Sequence, residues 1–279
     1  MTAAVLPPLY ADPADRAAVA AYEGALPCHF VSPGCWPNGA QGDVLEGFWL
    51  AFQQGRLHLY RGREQRGQSI ALADIERRAV RTSELARACG FGRRSGARES
   101  AGIAVAARTV LDGTAGWGVD GVTLARLGAR VHLLEQEAPI WALCHDLCAA
   151  SSAAVSAFAS AVLPRGGAFA QAHHATFEDW LAGGLDAVPE RVDVVYLDPM
   201  FPPRRKAAAA RKRLQYLDAL LAGREAPSAA LIAQWVVAAR ERARERVVVK
   251  RRRHEGPPQP AADWQILGSS VRYDVYAAR

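Results

Sequence analysis

Short apolar runs, many of them β-branched, alternate along this chain with longer stretches in which apolar residues recur every three or four positions. The first pattern reads as buried strand and the second as helix packed on one face. Val110-Leu111 closing on Asp112, Arg130 to Glu135, Ala168 to Gln171, Arg191 to Leu197 and Val247 to Val249 are predicted strands. Between them Val119 to Leu127, Pro139 to Ala150 and Ser228 to Glu245 have helical spacing, and Gly128 suits the stop of the first. Ile103 to Thr109 is expected to open a further helix. Trp264 to Leu267 and Val271 to Tyr276 are predicted to form a closing hairpin. Strands alternating with helices imply an α/β fold built on a doubly wound parallel sheet.

The first 80 residues follow a different pattern. Many prolines and glycines fall here, and Ser32 to Gly39 reads as loop. Phe48 to Phe52 and Leu57 to Tyr60 are strand candidates around the turn Gln53-Gln54-Gly55. Residues 1–80 are therefore expected to form a small mixed or β-rich module, and residues 81–279 the main domain.

Composition narrows the function classes. Half of the 279 residues are hydrophobic, but no apolar stretch reaches the roughly 18 residues that span a bilayer. The N-terminus lacks a basic segment followed by an apolar core, so no secretory signal is expected. The five cysteines, Cys28, Cys35, Cys89, Cys144 and Cys148, are an odd number in a chain of ordinary size and fit reduced thiols in the cytoplasm. Cys144 and Cys148 share a helix face, but no second pair at ligand spacing accompanies them, so no metal is expected. The formal charge is +6. Basic residues cluster at Arg204-Arg205-Lys206, Arg211-Lys212-Arg213 and Lys250-Arg251-Arg252-Arg253, with no acid inside any cluster. Such clusters suit the phosphates of a nucleic acid.

Two segments carry chemistry. In the first, a strand closes on Asp112, the turn Gly113-Thr114-Ala115-Gly116-Trp117-Gly118 leads into a helix, and a second strand closes on Glu135. Glycines let backbone amides approach a ligand, and an acid ending the second strand can accept hydrogen bonds from ribose hydroxyls. The glycine spacing does not match the dinucleotide fingerprint. A leading acid also suits a cationic ligand, which favours S-adenosylmethionine over nicotinamide or flavin. In the second segment, the strand ending at Leu197 runs into Asp198-Pro199-Met200-Phe201-Pro202. The two prolines force a turn where a carboxylate, backbone carbonyls and an aromatic ring emerge together. That set suits a planar ring bearing an exocyclic amine, such as a nucleobase.

The strings Asp112 to Asp120, Leu134-Glu135-Gln136, Val195 to Pro202 and Arg246 to Lys250, with Val271 to Tyr276, closely resemble the RsmJ family, bacterial 16S ribosomal RNA guanine-N2 methyltransferases that use S-adenosylmethionine. The likeness covers about residues 85–279. It implies a Rossmann-like class I methyltransferase sheet, with 16S ribosomal RNA or the small ribosomal subunit as partner. It also implies donor contacts at Val119, Asp120, Glu135, Gln136, His173, His174 and Asp198, beside Asp112, Gly113 and Gly116. Val119 and Gln136 stand where arginines are usual in the family, and His173-His174 where a serine pair is common. Arg93 to Glu99 is similar to a family Gly/Arg-rich loop.

Methyl transfer to guanine N2 needs its delocalised lone pair turned toward the methyl group. Asp198, the Pro199 carbonyl, or both are expected to accept the amine N–H groups, and Phe201 to stack on the base. Arg204, Arg205, Lys206, Arg211, Lys212, Arg213, Lys250 and Arg251 are the candidate RNA contacts, with Lys250 facing either the pocket or a phosphate. The competing readings are an adenine-N6 or protein-amide methyltransferase, a non-catalytic RNA-binding protein on the same fold, and a nicotinamide oxidoreductase.

Overall fold

The computed structural model describes residues 6–32, 36, 47–92, 107–158, 169–200 and 212–279, without the side chains of 154–158 and 212–214. Two sheets organise the chain. The smaller contains β1 (Leu9–Ala11), β2 (Cys28–Phe30), β3 (Phe48–Gln53) and β4 (Arg56–Arg61), with the short helix α1 (Arg16–Val19) between β1 and β2. Its strand order is β2-β1-β3-β4. Strands β3 and β4 form a hairpin whose turn residues Gln54 and Gly55 have φ of 51° and 74°. Positive φ at both central positions matches the twist of the flanking strands.

Helices α2 (Leu72–Arg78) and α3 (Glu84–Ala88) lead to the larger sheet. There β5 (Thr109–Asp112), α4 (Val119–Arg126), β6 (Arg130–Glu135), α5 (Ala138–Phe158), β7 (Phe169–His174), α6 (Phe177–Leu181) and β8 (Val192–Leu197) alternate. Then come α7 (Lys212–Leu220), α8 (Ala229–Arg242), β9 (Ala243–Arg252), β10 (Trp264–Leu267) and β11 (Val271–Ala277). The order is β10-β11-β9-β8-β5-β6-β7. Strands β5 to β9 run parallel, while β11 pairs antiparallel with both β9 and β10. The order reverses at β5, so a crevice opens beyond the carboxyl ends of β5 and β8, where ligands bind in open α/β sheets.

Alternation along the strands assigns each residue to a layer. Leu111, Val195, Leu197, Val247 and Val249 pack with α6 and α8 through Phe177, Trp180, Trp235 and Val236. Val110, Val194, Tyr196 and Val248 join the opposite cluster, which holds α4 and α5 and continues without a break to Leu9, Leu50, Leu57 and Leu59 of the small sheet. A buried polar contact ties the sheets as well. Asp146 on α5 accepts from Arg56 Nε at 2.7 Å and from the Leu57 amide at 3.0 Å.

Several element boundaries differ from the sequence expectation, among them the end of α5, at Phe158 rather than Ala150. Thr109 belongs to a strand, its amide bonded to Asp193 Oδ2 at 2.8 Å, while residues 103–106 lie outside the described residues. Helix α8 stops at Arg242, and Ala243 to Arg246 extend β9, because β8 and β11 offer ladder partners on both sides. Pairing overrides the helical preference of Ala, Arg and Glu there. Strand β7 likewise runs to His174, paired with Glu135.

Candidate active site

The turn after β5 is held from both sides. The Gly113 amide donates to the Tyr196 carbonyl of β8 at 2.9 Å, and the Ala115 amide to the Leu134 carbonyl of β6 at 2.9 Å. Gly113 must lack a side chain, since a Cβ there would lie 2.5 Å from the Phe177 ring and 2.8 Å from Leu197. Asp112 is 1% exposed beneath this turn, and its Oδ1 accepts the Thr114 amide at 3.3 Å. Burial, and then the nearby Asp120, push its pKa well above the usual carboxylate range.

Glu135 closes β6 against the same turn. Its Oε2 accepts the Gly116 amide at 2.9 Å and its Oε1 the Glu137 amide at 2.8 Å. Burial raises its pKa to about 7 in spite of these bonds. Gly116 has φ +53°, and among the described residues a Cβ on it would meet no atom within 4 Å. His174 stacks on Trp141, ring centroids 5.2 Å apart, and its Nε2 lies 3.1 Å from the carbonyl of exposed Gln136. His173 points to the other face of the sheet, where it meets His132 at 3.1 Å. The two histidines therefore have different surroundings, and only His174 shares the layer of Glu135.

Asp120, in the first turn of α4 after Val119, stands at the centre of a polar cluster. Its Oδ2 accepts from Tyr196 Oη and Lys250 Nζ, each at 2.7 Å, and its Oδ1 lies 3.5 Å from Arg78 Nη1. Burial alone would raise its pKa, but Lys250, Tyr196 and Arg78 outweigh that and hold it below the usual range. Lys250 also donates to Asp198 Oδ2 at 2.7 Å. The Asp198 amide donates to Thr114 Oγ1 at 2.7 Å, which joins the turn after β8 to the turn after β5. Burial raises the Asp198 pKa, with Lys250 opposing. Pro199 follows, buried, just beyond the carboxyl end of β8.

The structure thus gathers Asp112, Gly113, Gly116, Val119, Asp120, Glu135 and Asp198 around one crevice. Phe201, Arg204, Arg205, Lys206 and Arg211 lie outside the described residues, and Lys212 and Arg213 begin α7. Lys250 and Arg251, both candidate RNA contacts, have ion-pair partners within the protein, and Lys250 takes the pocket-facing of its two expected positions. Lys250 is engaged by two carboxylates inside the crevice. Arg251, 5% exposed, faces the other way and pairs with Glu255 at 2.7 Å and Asp274 at 3.1 Å. A run of basic residues on a strand cannot form one face, because alternate side chains leave on opposite sides. Sequence reasoning also missed Tyr196 and Thr114. Tyr196 lies two residues before Asp198 and so shares its side of the strand, a signal available in the spacing.

S-adenosylmethionine fits this crevice. The backbone at Gly116 is open to close approach among the described residues, and the buried carboxylates suit a cation. Fold and site together define a class I S-adenosylmethionine-dependent methyltransferase. A family model described as "Putative SAM-dependent methyltransferase" matches residues 40–278. Ribosomal RNA small subunit methyltransferase J of Laribacter hongkongensis is 34% identical over 277 residues, which cover 95% of this chain and 90% of that protein. The same-named protein of Pseudoalteromonas atlantica is 32% identical over 246 residues, 86% of this chain and 89% of the relative. The solved structure of a SAM-dependent methyltransferase from Neisseria gonorrhoeae shares the fold, with TM-score 0.62, 23% identity, and coverage of 97% of this chain and 95% of that one. The chain belongs to the ribosomal RNA small subunit methyltransferase J family.

Proposed function

We propose that this protein methylates the exocyclic N2 of a guanosine in 16S ribosomal RNA. The observation that carries this reading is the position of Asp198. It ends β8 at the mouth of the crevice, pinned through its amide to Thr114 in the donor turn and through its carboxylate to Lys250. An acceptor amine bonded to Asp198 is thereby fixed in relation to the Gly113 to Gly116 turn.

S-adenosylmethionine supplies the methyl group on a sulfonium. The residues of the chain do the rest by placement, which can account for a large part of a barrier. Asp198 and the Pro199 carbonyl accept the two N–H groups of the amine and turn its lone pair toward the donor. As the new bond forms the amine becomes acidic, so Asp198 need not be a strong base. Phe201 stacks on the guanine, which must be unpaired or flipped out of its helix to enter. Arg204, Arg205, Lys206, Arg211, Lys212 and Arg213 follow this turn directly and hold phosphates, which positions the RNA without reading its sequence. With this substrate the protein works in the cytoplasm. Among the described residues no helix is long and apolar enough to cross a membrane.

The test is mass mapping of 16S ribosomal RNA from cells with and without the gene, followed by transfer to the unmodified RNA or small subunit by purified protein. One guanosine should lose its N2-methyl mark in the deletion and regain it in vitro. A modification map unchanged by the deletion overturns the proposal.

A further inference from the structure

Lys250 has a place in the site that neither donor binding nor base recognition accounts for. It lies on β9 opposite Tyr273 of β11 and directs its side chain into the α4 layer. Its side chain is 19% exposed, and its ammonium lies 2.7 Å from Asp120 Oδ2 and 2.7 Å from Asp198 Oδ2. Burial by itself would lower the lysine pKa, but the two carboxylates raise it well beyond the ordinary value, so the ammonium stays charged. Asp112, Asp120 and Asp198 converge here from β5, α4 and the end of β8. Tyr196 and Tyr273 face the cluster from β8 and β11, and Arg78 reaches it from α2.

We propose that Lys250 is a positioning residue for methyl transfer, holding the Asp198 carboxylate ionised and oriented for the acceptor amine while anchoring the donor-side acid Asp120. This rests on the reading of Asp198 as the residue that meets the amine. Arg78 is a second cation in the cluster but lies against Asp120, so removing Lys250 takes from Asp198 the cation that it touches and favours its protonation. Asp198 is the exposed member, with 32% of its side chain accessible, and it is the one whose accepting oxygens the reaction uses. The bond to Lys250 occupies Oδ2, so Oδ1 meets the N–H. A protonated Asp198 would lose that orientation. One cation thus fixes the acceptor acid and the donor acid relative to each other, which a salt bridge to either alone would not do.

The test is the pH profile of single-turnover methyl transfer by the full-length enzyme, at saturating donor, for wild type, Lys250→Met, Lys250→Gln and Lys250→Arg. Lys250→Met should slow transfer about 100-fold near neutrality. Its acid limb should move up by about one pH unit or more, so that the deficit shrinks as pH rises. Lys250→Arg keeps the charge and should keep the limb near its wild-type position. If Lys250→Met fails to fold, the Gln and Arg variants give the same comparison. A loss equal at every pH, or a limb that Arg and Gln shift alike, overturns the proposal. Asp198→Asn is measured in parallel. Normal turnover by that variant removes the acceptor reading itself, whereas an inactive Asp198→Asn beside unshifted Lys250 variants removes only the role given to Lys250.

Discussion

Glu135 accepts the amide hydrogen of Gly116 at 2.9 Å, so the acid that ends β6 and the glycine turn that leaves β5 are fixed to each other. Any ligand that touches both meets them in one arrangement. On the proposed reading Glu135 is the ribose acceptor, so Glu135→Ala removes that acceptor and loosens the turn. Losing hydrogen bonds to a charged group costs about 1.5–3 kcal/mol, so donor affinity should fall roughly ten- to a hundredfold. Calorimetric titration with S-adenosylmethionine measures this, and unchanged affinity would show that the ribose lies elsewhere.

The same carboxyl makes donor binding depend on pH. Burial sets its pKa at about 7, above the ordinary 4.5, so the donor-free protein holds a proton there that the unfolded chain has lost. The stability it contributes is therefore full below about pH 4.5 and disappears as pH rises through about 7. On the proposed reading the ribose hydroxyls donate to the ionised form of Glu135. Donor affinity should rise from pH 6 to pH 8, with about one proton released at the lower end. Titrations in two buffers of different ionisation enthalpy count the protons. Proton uptake, or none at pH 6, contradicts the scheme.

Gly118 caps α4 with φ +76°, and a Cβ there would lie 2.7 Å from the Cys144 thiol. Gly118→Ala should lower stability by about 1–3 kcal/mol through overpacking and by about 1–2 kcal/mol more through the left-handed backbone. Adding Cys144→Ala should relieve the first part and leave the second. Urea unfolding of the single and double variants separates the two costs, and full additivity would mean that the contact does not form.

Asp146→Ala strips Arg56 and the Leu57 amide of their shared acceptor in a buried interface. Removing one partner of a buried pair costs about 3–5 kcal/mol. The loss should appear in a single unfolding transition, because one apolar cluster runs from Leu9 through Leu57 to Leu133. Two transitions, with the small sheet melting first, would count against that continuity.

Much of this arrangement is written in local spacing. Strand β6 has the limits that its short apolar run predicts, Arg130 and Glu135, and the closing hairpin falls where its apolar pattern puts it. The acids at the ends of β5, β6 and β8 are visible as the last polar residues of apolar runs. What lies across the sheet is not visible that way. Lys250 meets Asp198 because β9 happens to lie beside β8, with Leu197 opposite Val249, and no feature near either residue announces that pairing. The helical composition of Ala243 to Arg246 misleads for the same reason, since the ladders that make it strand come from Val192 and Ala277. Residues His173 and His174 look like a loop pair in sequence, and only their pairing with Leu134 and Glu135 sends them to opposite faces.

Strand β11 lies between β9 and β10 although it follows both in the chain. On a ribosome, β9 therefore emerges with a ten-residue edge whose outer partner has yet to be made. Until Val271 to Ala277 arrive, that edge is open to pairing with another nascent chain. The basic residues spaced along it, Arg244, Arg246, Lys250 and Arg252, repel a second copy of the same strand during that interval. Their charge thus guards the order of assembly before any of them takes its place in the finished protein, and a message cut short within the hairpin would leave the hazard permanent.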